Sequence, residues 1–122
     1  LGGHVIIEDH VVVGGLVGIH QFVKVGTGAL LGAGSMVSKD VAPYCNAIGD
    51  RARVHGLNLV GLKRRGLTRE QIESIKRAYR IIFRSGLSTR EALARVKRDL
   101  PGSGEAATMV AFIETSQRGI CR

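Results

Sequence analysis

Tryptophan is absent from the 122 residues, and three Phe with two Tyr bring the aromatic share to only 4%. The core must therefore be built from Val, Ile, Leu and Ala. Proline is scarce at 2 residues while Gly reaches 17. Gly without Pro argues against a low-complexity disordered chain and for many tight corners in ordered backbone. Only two cysteines occur, Cys45 and Cys121; they lie too far apart in sequence to form a metal cluster by themselves, and lone thiols suit a reducing cytoplasm. No apolar run approaches the roughly 18 residues that span a bilayer, and no basic start followed by an apolar stretch marks a secretory leader. The first residue is Leu1 and not Met, which reads as a processed product or a fragment.

Apolar residues make up 44% of the sequence, enough for a buried core. The net charge of +8 is unevenly spread. Residues 1–49 hold Lys24 and Lys39 against Glu8, Asp9 and Asp40, while residues 50–122 hold 16 basic and 7 acidic side chains. Ten of the 17 Gly fall in the first 49 positions, and His4, His10, His20 and His55 all fall in the first 55. Two compositional halves follow, one Gly/Val/His-rich and near neutral, the other Arg-rich.

The first half repeats every six residues. Cut from Leu1, it reads LGGHVI, IEDHVV, VGGLVG, IHQFVK, VGTGAL, LGAGSM, VSKDVA. The first position is aliphatic in all seven hexads: Leu1, Ile7, Val13, Ile19, Val25, Leu31, Val37. The fifth is small or β-branched throughout: Val5, Val11, Val17, Val23, Ala29, Ser35, Val41. The second is Gly in four, at Gly2, Gly14, Gly26 and Gly32. A helix would be penalised by about 1 kcal/mol for each such Gly. Short strands meeting at corners fit better, with Gly expected to supply the unusual φ where the chain turns. Six-residue periods belong to parallel β-helices, and stacks of repeats need about three units for stability. Seven hexads make little more than two coils, so the upper edge is expected to be open.

The second half reads as helical. Pro43 ends the repeat, and 43–53 reads as an irregular connection. Thr68 with Gln71 three residues on forms a capping-box signature, followed by Ile72, Ile75, Ala78, Tyr79 and Ile82 on one face, with Gly86 as a stop. Ser88 with Glu91 opens a second helix ending at Pro101. A third is expected from about 105 to 117, with Met109, Phe112 and Ile113 on one face. These stripes read as core.

The combination of a hexapeptide stack and an Arg-rich helical tail is specific, and particular segments sharpen it. Gly2-Gly3-His4-Val5, Ile19-His20-Gln21-Phe22, Asp40-Val41-Ala42-Pro43-Tyr44, Asn58-Leu59-Val60-Gly61-Leu62-Lys63-Arg64-Arg65-Gly66 and Ser116-Gln117-Arg118-Gly119-Ile120 together resemble the C-terminal half of the UDP-N-acetylglucosamine O-acyltransferases of lipid A biosynthesis. The resemblance implies a left-handed parallel β-helix with an exit connection over residues 1–53. A linker and a small α-helical C-terminal domain would occupy 54–122. It further implies a cytoplasmic homotrimer with active sites between subunits. The implied reaction moves a 3-hydroxyacyl chain from acyl carrier protein to the 3-hydroxyl of UDP-N-acetylglucosamine, with no cofactor beyond the carrier thioester and no metal. A related acyltransferase on a 3-amino or already acylated UDP-sugar, and a non-catalytic trimeric scaffold, are the alternatives. A nucleic-acid-binding module, suggested by a pI near 10.3, is opposed by the few aromatics, the lack of a nucleic-acid motif and the neutral first half.

By the same resemblance, the general-base His lies about one coil above Gly2-Gly3-His4, outside this sequence, so the chain alone is expected to be inactive. Gly3 matches a position whose N–H faces the thioester oxygen, and His4 and His20 match positions lining the active-site cleft. His10 has no matching role. Gln21 resembles a sugar contact. Asn58, Arg64 and Arg65 match nucleotide and diphosphate contacts, for which forked guanidinium donors are suited. Val60 stands where the family usually carries an acid. Ala33 matches the position that limits acyl-chain length. Lys76, Arg80 and Arg84, spaced by four, form a basic stripe fitted to an acidic carrier protein.

Overall fold

The computed structural model describes residues 2–122. Its first part is a stack of two-residue strands: β1 (Ile6–Ile7), β2 (Val12–Val13), β3 (Gly18–Ile19), β4 (Lys24–Val25), β5 (Leu30–Leu31) and β6 (Met36–Val37). Each pairs in parallel with the strand 18 positions later: Ile6 with Lys24, Val12 with Leu30, Gly18 with Met36. One coil is therefore three hexads, and three narrow sheets form its faces. The two aliphatic positions point inward as the repeat predicts. Ile19, Val25, Leu31 and Val37, with Val23, Ala29, Ser35 and Val41, are buried in the lower coil. The upper edge exposes Ile6, Ile7, Val12 and Val13. Ser35, the one polar residue in that interior row, is satisfied because its Oγ accepts from Gly49 N–H at 3.1 Å.

The corner geometry corrects the expected role of Gly. Left-handed φ falls on the fourth position of the first six hexads, at His4, His10, Leu16, Phe22, Gly28 and Gly34, with φ between 57° and 75°. Four of these six are not Gly. The second-position Gly residues instead serve close approach between coils. A Cβ on Gly2, Gly14 or Gly26 would lie 2.4–2.6 Å from the backbone nitrogen of Gln21, Ala33 or Pro43 respectively. The next coil's backbone occupies the space a side chain would need.

Residues 43–53, expected to be irregular, contain a strand. β7 (Cys45–Ile48) extends the β2–β5 sheet in parallel, and β8 (Arg53–Leu57) pairs back antiparallel to it. The division expected between residues 53 and 54 thus falls inside β8. The Cys45–Ile48 stretch carries no six-residue phase, and only the free edge of β5 recruits it.

α1 (Leu59–Arg64) follows, then α2 (Arg69–Tyr79), α3 (Thr89–Asp99) and α4 (Gly104–Glu114). The capping box forms as predicted: Gln71 N–H donates to Thr68 Oγ1 at 3.1 Å and Thr68 N–H to Gln71 Oε1 at 2.7 Å. Ser88 and Ser103 cap α3 and α4. Two helix ends differ from expectation. α2 passes into a π-turn over Arg80–Arg84 before the stop at Gly86, where φ is +76°. α4 ends at Glu114, short of 117, because the chain turns back toward the coils. There Ser116 Oγ donates to Asp40 Oδ2 at 2.6 Å, and Cys121 N–H to Asp40 carbonyl oxygen at 2.8 Å. Asp40 is buried, and its other oxygen accepts from Lys24 N–H at 2.8 Å.

Candidate functional site

Two open clefts hold four of the expected site residues, Asn58, Arg64 and Arg65 in one and His20 in the other. The first lies where α1 meets the coils. Asn58, buried, binds both: its Oδ1 accepts from Gly61 N–H at 3.2 Å, and its Nδ2 donates to the Gly28 carbonyl at 3.2 Å. Its own N–H donates to the Tyr44 carbonyl at 2.8 Å. Six residues are too few for a helix to stand unaided, so this cap and anchor hold α1 in place. Arg64 and Arg65, at its end, line a groove of about 410 Å³ with His10, Val12, Leu30 and Val60. The Arg65 guanidinium reaches Gly28 so closely that a Cβ there would lie 2.9 Å from Nη1. Among the described residues neither Arg has a carboxylate partner, and Val60, 63% exposed, puts an apolar side chain one turn before Arg64. The structure thus joins Asn58, Arg64 and Arg65 and gives Asn58's amide to the fold.

The second cleft, about 630 Å³, is lined by His20 with Ser38, Lys39, Arg51, Arg53 and Arg122, among others. His4 is not part of it. His4 stacks face to face on Phe22, with ring centroids 5.1 Å apart, because both occupy the same corner one coil apart. His20 lies beneath Gly2 instead: a Cβ on Gly2 would sit 2.9 Å from the His20 carbonyl carbon. The two His are one coil apart and two residues out of register.

Beside His4, Gly3 is exposed, and its carbonyl accepts from Phe22 N–H at 3.1 Å. Among the described residues nothing accepts from the Gly3 N–H, and an added Cβ would meet nothing within 4 Å. Gln21 is exposed, with its carbonyl accepting from Arg118 Nη1 at 3.3 Å. Ala33 is exposed on the same corner as Leu16, which is 95% exposed; Gly34 N–H donates to the Gly15 carbonyl at 2.8 Å between them.

The even stripe expected from Lys76, Arg80 and Arg84 is broken. A π-turn advances less per residue than an α-turn, so Arg84 swings over the Tyr79 ring, 6.0 Å from its centroid. Lys76 pairs with Glu73 at 3.6 Å, and Arg80 shares a small groove with Arg77 and Arg95. The repeat and motif spacing did not single out Lys39, Arg51, Arg53 or Arg95. Burial pushes the Tyr44 phenol above its ordinary pKa, and its ring packs within 3.1 Å of where a Gly28 Cβ would be. Tyr44 belongs to the Asp40–Tyr44 segment quoted above, and its contact with the Gly28 corner is a tertiary one.

Residues 40–121 match the family model described as UDP N-acetylglucosamine O-acyltransferase, domain 2. The chain belongs to this family. It is 49% identical over 122 residues to the acyl-acyl-carrier-protein–UDP-N-acetylglucosamine O-acyltransferase of Anaeromyxobacter sp. (strain K), covering all of this chain and 48% of that one. The enzyme of the same name from Myxococcus xanthus is 48% identical over 97% of this chain and 46% of its own length. The solved UDP-N-acetylglucosamine acyltransferase of Bacteroides fragilis superposes with a TM-score of 0.96 at 42% identity, covering 100% of this chain and 48% of that one. The chain spans about half the length of the curated relatives it matches. Among the described residues, no helix is long and apolar enough to cross a membrane.

Proposed function

We propose that this chain is the C-terminal half of a cytoplasmic acyltransferase that carries a 3-hydroxyacyl group from acyl carrier protein to the 3-hydroxyl of UDP-N-acetylglucosamine, the first step of lipid A biosynthesis. The coils are left-handed, residues 58–122 form a helical C-terminal domain, and three copies assemble with active sites between neighbours. The observation that carries the reading is the pair Arg64 and Arg65, anchored through Asn58 to the Gly28 corner beside an open groove, in a chain whose family acts on a UDP-sugar. Two permanently charged, forked donors without carboxylate partners suit a diphosphate.

A sugar hydroxyl is a weak nucleophile at neutral pH. A base outside this sequence takes its proton as the oxygen attacks the thioester carbonyl carbon. The carbonyl oxygen gains negative charge, and the free Gly3 N–H is placed to donate to it. When the carbonyl re-forms, the C–S bond breaks and the carrier's thiolate leaves and is protonated. His4, held flat against Phe22, and His20 with Gln21 border the sugar. Ala33 limits the length of the acyl chain. The basic surface of Arg80 and Arg84, with Lys76 behind its Glu73 partner, draws in an acidic carrier.

The test is turnover by the full-length enzyme with acyl carrier thioester, offered UDP-N-acetylglucosamine and its 3-amino analogue in parallel. Preference for the hydroxyl sugar is expected; preference for the amine would overturn the acceptor. Arg64→Ala should raise the UDP-sugar KM at least tenfold, since a charge-assisted bond contributes about 1.5–3 kcal/mol.

A further inference from the structure

We propose that Gly28 and the Tyr44 ring are positioning residues that seat the Arg65 guanidinium for a nucleoside diphosphate, so that the side chain standing at position 28 sets affinity for the UDP-sugar. This rests on the diphosphate reading of the α1 groove and adds two residues to it. Backbone conformation does not explain Gly at this corner. Gly28 has φ of +71°, but His4, His10, Leu16 and Phe22 hold the same corner position with φ of 57–67° and carry side chains. Space explains it. A Cβ on Gly28 would lie 2.9 Å from Arg65 Nη1, 3.1 Å from Tyr44 Cδ1 and 3.6 Å from Tyr44 Cε1. A Cβ on Gly34, at the same position one hexad on with φ of +75°, would meet nothing within 4 Å.

The backbone around this point is held on every side. Gly28 N–H donates to the Asp9 carbonyl at 3.0 Å, and the Gly28 carbonyl accepts from Asn58 Nδ2 at 3.2 Å. Thr27 ties the same corner to the coil above, its N–H donating to Glu8 Oε1 at 2.9 Å and its Oγ1 to the Asp9 carbonyl at 2.8 Å. Tyr44 is buried, with φ of +69°. Its N–H donates to the Thr27 carbonyl at 2.9 Å, and its carbonyl accepts from Asn58 N–H at 2.8 Å. Arg65 N–H donates to the Gly61 carbonyl at 3.0 Å, which holds the Arg65 backbone at the end of α1. The movable group near the Gly28 Cα is the exposed far end of the Arg65 side chain. A side chain at position 28 would therefore displace the guanidinium before it displaced the fold.

Displacement of that group matters for phosphate recognition. A guanidinium binds phosphate oxygens through a planar fork, and it contributes most when it is held in place before the ligand arrives. Gly28, Arg64 and Arg65 line one groove. Among the described residues Arg65 lies within salt-bridge distance of no carboxylate, so its charge remains available to a ligand. The Tyr44 ring edge and the guanidinium meet over the bare Cα of Gly28. Glycine, ring and guanidinium fit as a set.

The experiment uses the full-length enzyme and calorimetric binding of UDP against uridine, with kcat and KM for UDP-N-acetylglucosamine measured beside them. Gly28→Ala should lower UDP affinity at least fivefold, change uridine affinity less than twofold, and raise KM more than it lowers kcat. Gly34→Ala carries the same left-handed strain into open space, so it should leave the ratio of UDP to uridine affinity unchanged. An equal loss on both ligands, or the same change from Gly34→Ala, overturns the seat. In Gly28→Ala/Arg65→Ala the added methyl should cost no further UDP affinity beyond Arg65→Ala, because it acts through that side chain; additive losses overturn the seat. Tyr44→Leu should weaken UDP binding and Tyr44→Phe restore most of it, since ring carbons face Gly28; a Phe variant as weak as the Leu variant overturns the role of the ring. Arg65→Ala separates the seat from the reading beneath it. Undiminished UDP binding in that variant refutes the diphosphate reading and the seat together, whereas a loss there with an additive double variant refutes the seat alone. Melting curves establish that each variant is folded.

Discussion

Replacing Asn58 by Ala tests how the fold holds the groove beside α1, the proposed diphosphate site. The change removes two bonds of a buried side chain. One is the cap on α1, Oδ1 accepting from Gly61 N–H at 3.2 Å, worth about 1 kcal/mol at a helix N-terminus. The other is the Nδ2 donation to the Gly28 carbonyl at 3.2 Å; leaving that carbonyl without its partner costs about 1–3 kcal/mol. Together the loss is about 2–4 kcal/mol. With m of about 1–3 kcal/mol/M, the urea midpoint should fall by about 1 M or more. Because α1 has only six residues, part of the loss should be local opening, visible as faster amide exchange at Leu62 and Arg65. Asn58→Asp separates the two contributions. It keeps the cap acceptor but turns an oxygen toward the Gly28 carbonyl, so only the anchor is lost. In the full-length enzyme, Asn58→Ala should weaken UDP binding more than uridine binding, if the displaced guanidinium groups serve as the proposed phosphate donors. A stability loss under about 0.5 kcal/mol, with exchange at Leu62 and Arg65 unchanged, would refute this account of the anchor.

Gly26→Ala and Gly34→Asn probe the two kinds of corner position. A Cβ on Gly26 would sit 2.5 Å from Pro43 nitrogen, so overpacking should cost about 1–3 kcal/mol. At Gly34 the space is open and φ is +75°, a conformation Asn tolerates, so thermal melts should show the smaller loss there; the reverse order would sink the assignment. Cys45 and Cys121 are both buried, and burial pushes the Cys45 thiol far above its ordinary value of 9.0, with Cys121 also raised. Above pH 9 the unfolded state loses these protons before the native state does. Stability should therefore be flat below about pH 9 and fall above it, by up to about 1.4 kcal/mol per pH unit for each thiol. Denaturant midpoints across pH 7–11 check this, and Cys45→Ala should flatten the decline. Ala33→Met should shift kcat/KM toward acyl chains several carbons shorter, because a side chain in an apolar slot changes fit by about 1–3 kcal/mol per methylene. An equal loss on every chain length would make Ala33 purely structural.

Periodicity alone determined the coils. Aliphatic and small residues recurring every six positions leave one inward-facing pattern, and parallel pairing at 18-residue spacing realises it. Caps were equally legible, because Thr68 with Gln71 and Ser88 with Glu91 act within one turn of backbone. The repeat also located Gly but not its task. Whether a Gly answers φ or close approach depends on the coil beneath it, and that coil lies 18 residues away. β7 shows the same limit: Cys45–Ile48 has no strand signal of its own, and the exposed edge of β5 makes it one.

At the site, the Asn58 to Arg65 run could be read as one unit because α1 is contiguous. Its seat could not: Gly28 and Tyr44 come from the coils and meet it only in three dimensions. The even stripe through Lys76, Arg80 and Arg84 failed because spacing assumes a uniform helix, and the π-turn over Arg80–Arg84 is settled by packing against α3. The His20 cleft was the least legible of all. Its cations come from residues 39, 51, 53 and 122, on a strand exit, a hairpin turn and a returning tail. Sequence supplied each of those charges; only the hydrogen bonds that fold the hairpin onto Met36 and the tail onto Asp40 put them around one opening.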